Sequence, residues 1–240
     1  GFSAVSTPRR HGYVDAQGVQ IWFAAFGAGP PVVLLHGGMG NSTNWAYLIP
    51  ELVSHGYCVI AIDSRGQGRS SWDGKPFHYT LMAADVRQVL DHLHISKAAI
   101  VGWSDGADIG LALADESTER VHGLFFFACN VDSSGTKPFE MTPPIERVLA
   151  HHRRQYAELS PTPGNFDEVF AAIQRMQSSE PNYAPAQLAR IDVSTVVCHG
   201  ENDEFIFREH LEYLAETLGN AKFVLLPDVS HFAPWQRPAM

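Results

Sequence analysis

The sequence predicts an α/β fold, in which helices cover both faces of a mostly parallel central sheet. Short apolar runs of strand length alternate along the chain with segments whose apolar residues follow a helical spacing. This alternation is typical of strand–helix–strand units, which build parallel sheets. The chain has 240 residues, 45% of them hydrophobic and 18% charged, which suits one globular domain with a sizeable core.

Seven apolar runs are the predicted strands, because turns rich in Gly, Asp and Asn bound them. In chain order they are Gln20–Phe26, Pro31–Leu35, Tyr57–Ile62, Ala98–Val101, Val121–Ala128, Thr195–Cys198 and Lys222–Leu226. Two stripes with i, i+3, i+4, i+7 spacing predict helices between them. The stripes are Val86, Val89, Leu90 and Leu93, and Leu211, Leu214, Ala215 and Leu218.

One long stretch, residues 131–190, interrupts the alternation and is called the insertion below. It has no convincing strand, and Pro-rich joints separate two predicted helices, Ile145–Leu159 and Phe166–Gln177. We predict that residues 1–130 and 191–240 form the α/β core and that the insertion is a small helical lid over the site. A surface excursion without a role is the alternative.

A serine lies between two glycines where a predicted strand meets a predicted helix. In "VGWSDGA", Gly102 and Gly106 flank Ser104 with the spacing G-x-S-x-G. The missing side chains let strand and helix approach closely while the hydroxyl stands exposed at the turn. Asp203 and His231 follow the ends of two later strands. Because the carboxyl ends of parallel strands meet at one edge of a sheet, we expect these three side chains to lie together.

These residue types suit nucleophilic catalysis. A serine hydroxyl is a weak nucleophile at neutral pH, so Ser104 needs His231 to take its proton. Asp203 would hold the imidazole in the right tautomer and stabilise its charged form. The negative oxygen of the intermediate needs hydrogen-bond donors, for which we predict the backbone N–H groups of Gly38, in the turn "HGGMG", and of Asp105.

Several motifs resemble, in sequence order, those of the α/β-hydrolase family: "HGGMG", "DSRGQGRS", "GWSDGA", "GENDEF" and "SHFAPW". The resemblance covers nearly the whole chain except the insertion. The elbow "GWSDGA" is most similar to that of bacterial carboxylesterases and of the biphenyl-hydrolase-like branch, which cleaves amino-acid esters. The resemblance implies nucleophile Ser104, acid Asp203, base His231 and oxyanion donors Gly38 and Asp105. Serine as the nucleophile excludes, by resemblance, the dehalogenase and epoxide-hydrolase branches, which have an aspartate there.

One departure from the family concerns the end of the chain. Met240 comes nine residues after His231, where family members usually continue into a last helix. We therefore expect either a shortened chain or another surface over the part of the core that this helix would cover.

The function predicted from these features is that of a cofactor-free serine hydrolase, which cleaves a small ester, thioester or lactone through an acyl-enzyme. A C–C bond hydrolase or a cofactor-free perhydrolase is one alternative, and a non-catalytic ligand receptor that keeps the three residues is another. Trp103, Met39 and Phe205 are the predicted substrate-binding residues, with a place in the core as the alternative for the aromatic side chains. The Asp105 side chain either anchors a cationic substrate or caps or tethers a neighbouring loop.

Composition and charge restrict the partners. A formal net charge of -9 disfavours nucleic acid and anionic membranes, and no apolar run has transmembrane length. Cys58, Cys129 and Cys198 lie in apolar runs without metal-type spacing, which predicts reduced thiols and a cytoplasmic location. The first twelve residues lack an apolar signal core and are interpreted as a processed end. The predicted partner is a small ester-type molecule, with a homodimer as one option for the oligomeric state.

Overall fold

Eight strands form one mostly parallel sheet within the residues that the structure, a computed structural model, describes: the backbone of residues 7–236 and the side chains of residues 7–234. The expectations about the processed end and the chain end concern, in part, residues 1–6 and 237–240, which lie outside the described residues. The strands are Arg10–Ala16 (β1), Val19–Phe26 (β2), Pro31–Leu35 (β3), Cys58–Ile62 (β4), Ala98–Trp103 (β5), Val121–Phe127 (β6), Thr195–Gly200 (β7) and Ala221–Leu226 (β8).

The strand order confirms the predicted fold class. It runs β1-β2-β4-β3-β5-β6-β7-β8. β1 and β2 pair antiparallel, as do β2 and β4, and the neighbours from β4 to β8 pair parallel. The parallel strands all end at one edge of the sheet, where ligand sites of such folds lie.

β1 is a strand that the sequence analysis missed. It pairs only with β2, at the edge of the sheet, with Val14 opposite Ile21. Val14 is buried while its neighbour Tyr13 is 52% exposed. Polar residues and a glycine break up its apolar pattern, because an edge strand that faces water needs few apolar side chains.

The helices cover both faces of the sheet. They are Leu48–Ser54 (α1), Tyr79–His92 (α2), Asp105–Glu116 (α3), Pro143–Leu159 (α4), Phe166–Ser179 (α5), Pro185–Arg190 (α6), Arg208–Thr217 (α7) and Ala233–Gln236 (α8). The two predicted stripes lie in α2 and α7, apart from their last members Leu93 and Leu218, which directly follow the helices. Val89 and Leu211 are fully buried. Among the described helices, none has the length and apolar character needed to cross a membrane.

Successive side chains of a strand point to opposite faces of the sheet and belong to two separate apolar clusters. Ile21 and Phe23 of β2 belong to the cluster with α2, α3 and α7, and Trp22 of the same strand belongs to the cluster with α1. On the α1 side, Phe125 and Val224 are each 37% exposed. Part of this apolar sheet face therefore lacks a cover within the described residues.

The insertion contains three helices and no strand of the sheet. The two predicted helices form as α4 and α5, and α6 is a third that the sequence analysis missed. Thr142 and Pro143 start α4, with the Thr142 side chain as the cap. Val169 and Ile173 of α5 are buried and join the larger apolar cluster.

Two glycines set the distance between α3 and the strands beneath it. A Cβ at Gly106 would overlap with the backbone carbonyl of Leu35 at the end of β3, and a Cβ at Gly102 would overlap with the carbonyl of Gly106. The helix backbone therefore packs directly against the strand ends, which no larger residue would allow.

We expect Gly106→Ala to lower the free energy of unfolding by about 2 kcal/mol or more, because the added methyl group meets backbone rather than a flexible side chain. Urea denaturation at neutral pH measures this change. Gly164→Ala is the matched control, since a Cβ at Gly164 meets nothing within 4 Å. Equal stability of the two variants would contradict the tight crossing.

Candidate active site

Ser104 occupies a strained turn between β5 and α3. Its backbone has φ 56° and ψ -123°, a region that a residue with a side chain rarely adopts. Its N–H donates to the carbonyl of Phe127 at 2.8 Å, and its own carbonyl accepts from Ala107 at 2.8 Å. β6 and α3 therefore hold the turn in place, with the serine hydroxyl facing a cavity.

The structure brings Ser104, His231 and Asp203 together. Nε2 of His231 lies 3.1 Å from Oγ of Ser104, and Nδ1 lies 2.8 Å from Oδ2 of Asp203. A carboxylate can only accept a hydrogen bond, so Nδ1 carries a proton and donates a hydrogen bond to Asp203. In the neutral ring, Nε2 is then an acceptor for the serine hydroxyl, which is the arrangement that a general base needs.

Asp203 is held as a charged acceptor in a loop after β7. Its Oδ1 accepts from the N–H groups of Phe205 at 2.7 Å and Ile206 at 2.9 Å. Burial by itself would raise the pKa of this carboxyl, but the attraction of His231 and these hydrogen bonds outweigh burial and hold the pKa below its ordinary value. Asp203 is only 2% exposed, so water screens its attraction to His231 little.

The predicted substrate-binding residues divide into two groups. Phe205 lines the cavity, and its ring meets that of His231 edge-on, with the centroids 4.9 Å apart. Trp103 and Met39 instead lie in the two apolar clusters. Trp103 donates from Nε1 to the carbonyl oxygen of His231 at 2.8 Å, so it supports the histidine from behind.

The two predicted oxyanion donors line the same cavity as the serine. Gly38 is in the turn after β3 and lines the cavity together with Ser104 and Asp105. Asp105 is the first residue of α3, where a backbone N–H has no acceptor within the helix. The close packing of α3 on the end of β3 brings this helix start to the "HGGMG" turn.

The cavity over Ser104 has a volume of about 330 Å³. The core supplies its floor, and α4 and α5 of the insertion supply much of its apolar wall, including Ile145, Leu149 and Phe170. A mainly apolar cavity of this size with a few polar groups suits a small organic molecule.

A polar cluster beside Ser104 was not predicted. The Asp105 carboxylate is 4% exposed and accepts hydrogen bonds from the Tyr79 hydroxyl at 2.8 Å and from Nε2 of Gln177 at 3.0 Å. Burial raises the pKa of Asp105, although these two hydrogen bonds and the charge of His231 oppose the rise. No local motif marks the cluster, since Tyr79 and Gln177 lie on α2 and α5, far from the elbow in sequence.

Asp108 lies one helical turn further into α3 and is fully buried. Its Oδ2 accepts from the Cys129 thiol at 3.0 Å, and its Oδ1 has no hydrogen-bond partner among the described residues. Burial raises its pKa well above the ordinary value, more than the thiol lowers it, and the nearby Asp105 adds to the rise. Burial also raises the pKa of Cys129, so this thiol at the cavity wall stays protonated.

Comparison with known proteins gives one consistent fold. The family model of the alpha/beta hydrolase fold matches residues 30–163. A non-heme haloperoxidase from Rhodococcus erythropolis is 26% identical over 90% of this chain and 90% of its own.

Two solved structures are similar over nearly the whole length. An N-acyl homoserine lactone degrading enzyme has a TM-score of 0.78 and 25% identity, over 95% of this chain and 96% of that chain. A meta-cleavage product hydrolase from Pseudomonas fluorescens has a TM-score of 0.81 and 21% identity, over 98% of this chain and 94% of that chain. At that identity the second likeness concerns the fold alone.

We expect Asp108→Asn to stabilise the protein increasingly as the pH rises. The pKa of Asp108 is higher in the folded protein than in the unfolded chain, where it is near 3.8. Its contribution to the free energy of unfolding is therefore complete only below pH 3.8, and this contribution is lost as the pH rises towards the folded pKa. Asparagine has no such loss. Urea unfolding from about pH 5 to about pH 8 should therefore show a growing advantage of the variant over the wild type. The exposed Asp192→Asn is the control, and parallel pH curves for Asp108→Asn and wild type would contradict the expectation.

Proposed function

The chain is a hydrolase that belongs to the α/β-hydrolase fold family, and on this premise we propose that it is a serine hydrolase, which cleaves a small ester, thioester or lactone through an acyl-enzyme. The observation that carries the proposal is the chain of contacts from Ser104 through His231 to Asp203, in which Ser104 and His231 line the cavity. The hydroxyl, imidazole and carboxylate contact one another in the order that acyl transfer by a serine requires, and this supports the proposal.

The proposed reaction has two halves. Oγ of Ser104 attacks the substrate carbonyl carbon while His231 Nε2 takes the hydroxyl proton, and Asp203 stabilises the resulting imidazolium. The backbone N–H groups of Gly38 and Asp105 bind the negative oxygen of the intermediate. His231 then gives its proton to the leaving alcohol or thiol. In the second half, His231 activates a water molecule, which releases the acid and restores Ser104.

We propose in addition that the insertion, residues 131–190, is a lid over this site. Three of its polar side chains attach to the core around the cavity. Gln155 accepts from Nδ2 of Asn41, beside the "HGGMG" turn, at 2.9 Å, and Gln177 donates to Asp105. Glu180 pairs with His78 at 2.6 Å and accepts from the N–H of Tyr79. These contacts lie where an opening lid would have to separate from the core.

The contacts of Asp105 favour the tethering role among the two that the sequence left open. Both carboxylate oxygens already accept hydrogen bonds from protein donors, which are the Tyr79 hydroxyl and the Gln177 amide. Gln177 belongs to the insertion. A substrate ammonium would have to compete with these donors. We therefore propose that the Asp105 side chain ties α5 to the elbow.

Labelling with a fluorophosphonate tests the proposed function directly, since this reagent reacts with an activated serine. Labelling at Ser104 together with turnover of a 4-nitrophenyl butyrate ester would support it, and absence of both would favour a ligand receptor. A panel of meta-cleavage diketones belongs in the same assay, because cleavage of diketones but not esters would favour the C–C bond alternative.

We expect Ser104→Ala and His231→Ala each to lower ester turnover by on the order of 10³-fold or more, because nucleophile and base act as one unit. Asp203→Asn should also be severely impaired, since asparagine favours the wrong imidazole tautomer. Steady-state kinetics measures the loss, with the exposed Ser178→Ala as the matched control. Near-normal activity of Ser104→Ala would refute the proposed nucleophile.

We expect the double variant Gln155→Ala, Gln177→Ala to expose the insertion to proteases, because it loses two of the attachments near the cavity. Limited proteolysis with mass spectrometry should find faster cleavage within residues 131–190 than in wild type. Gln88→Ala, on the exposed side of α2, is the control. An unchanged cleavage rate would count against a detachable lid.

A further inference from the structure

Lys137 is the only lysine or arginine among the described residues that line the cavity. Its Nζ donates to the backbone carbonyl oxygen of Asp203 at 2.6 Å. No carboxylate among the described residues forms an ion pair with it. A cation without a pairing anion therefore lies at the Asp203 end of the cavity, in a chain whose formal net charge is -9.

The backbone around Lys137 is fixed to the loop that carries Asp203. The N–H of Lys137 donates to the carbonyl of Phe205 at 2.7 Å, and Thr136 forms an antiparallel bridge with Ile206. These contacts hold the backbone of Lys137 at the site, and the hydrogen bond from Nζ holds its side chain there, so less conformational freedom is lost when a ligand binds.

Lys137 Nζ also lies over the Phe207 ring, 5.9 Å from its centroid, but neither this contact nor the one hydrogen bond supplies a negative charge. A backbone carbonyl is a neutral acceptor that a hydroxyl or an amide could satisfy as well, and an ammonium group has two further N–H donors. The Asp203 carboxylate already accepts from His231 and from two backbone N–H groups. The remaining donors of Lys137 are suited to an anionic oxygen, because hydrogen bonds between charged groups are the stronger ones.

The charges of the cavity are separated along its length. The Asp105 carboxylate lies beside Ser104, whereas Lys137 contacts Asp203, at the other end of the Ser104–His231–Asp203 chain. The stacked rings of Phe139 and Phe205, with centroids 6.2 Å apart, line the cavity near Lys137. This end accordingly combines apolar surface with one positive charge.

We propose that Lys137 is a specificity-determining residue that binds a carboxylate of the substrate, so that the preferred ester or lactone carries an apolar chain ending in an acid. This inference rests on the proposed hydrolase function and deepens it. The substrate carboxylate takes the place of a pairing anion, which the described residues do not supply.

The test compares the 4-nitrophenyl monoesters of succinic, glutaric and adipic acid with the same esters whose free acid is methylated. For at least one chain length, wild type should prefer the acid, and Lys137→Met should lower the acid-to-methyl ratio of kcat/KM by on the order of 10-fold or more. Lys137→Arg keeps the charge and should retain most of the preference. The exposed Lys97→Met is the control and should leave the ratio unchanged.

Added salt should reduce the preference in wild type, since it screens the charges. Should Lys137→Met fail to fold, inhibition of wild type decides: the free diacids should inhibit more strongly than their dimethyl esters, and equal inhibition would overturn the proposal. Equal loss of both substrate types in Lys137→Met would overturn it as well, since it would assign Lys137 to positioning of the Asp203 loop. Failure of the proposed hydrolase function is distinguishable, because then neither ester is cleaved and Ser104 is not labelled.

Discussion

The crossing of α3 over the ends of β3 and β5 is the constraint on which the rest of the site depends. Gly102 and Gly106 remove the side chains that would separate the helix from the strands, and the carbonyl of Leu35 occupies the space of the missing Cβ at Gly106. This packing holds Ser104 at a positive φ and brings the "HGGMG" turn beside it. The strain at Ser104 persists because hydrogen bonds to β6 and α3 leave its backbone no alternative.

The buried carboxyl groups around this crossing differ in the direction in which their pKa is shifted. Asp203 accepts hydrogen bonds from the imidazole of His231 and from two backbone N–H groups. These interactions lower its pKa by more than burial raises it. Asp105 and Asp108 receive only neutral donors, so burial dominates and favours their protonated forms. Of these three carboxyl groups, only Asp203 has its pKa held below the ordinary value, and it faces the histidine that it supports. A negative charge on Asp105, beside the nucleophile, would disfavour the developing negative charge of an oxyanion. The raised pKa of Asp105 limits that effect.

The insertion completes the cavity without entering the sheet. α4 and α5 supply apolar wall, and the part of the insertion before α4 attaches to the loop of Asp203 through Thr136 and Lys137. One segment of chain thus touches both the nucleophile end, through Gln177, and the acid end, through Lys137. A change in the position of the insertion would alter both ends of the cavity together.

The sequence by itself determined the fold class, seven of the eight strands in the described part of the chain, and the proximity of Ser104, Asp203 and His231, because these follow from local spacing and from the rule that parallel strands end at one edge. The sequence did not predict the edge strand β1, whose apolar pattern is weak, and it left two places open for Trp103, which packs in an apolar cluster and donates from its indole to the backbone of His231. Only the tertiary structure decided which polar groups meet at the cavity. Gln177 reaches Asp105 across 72 residues, and Lys137 reaches Asp203 across 66. Contacts of this kind depend on how the insertion packs over the sheet, and no pattern within a single element encodes that packing.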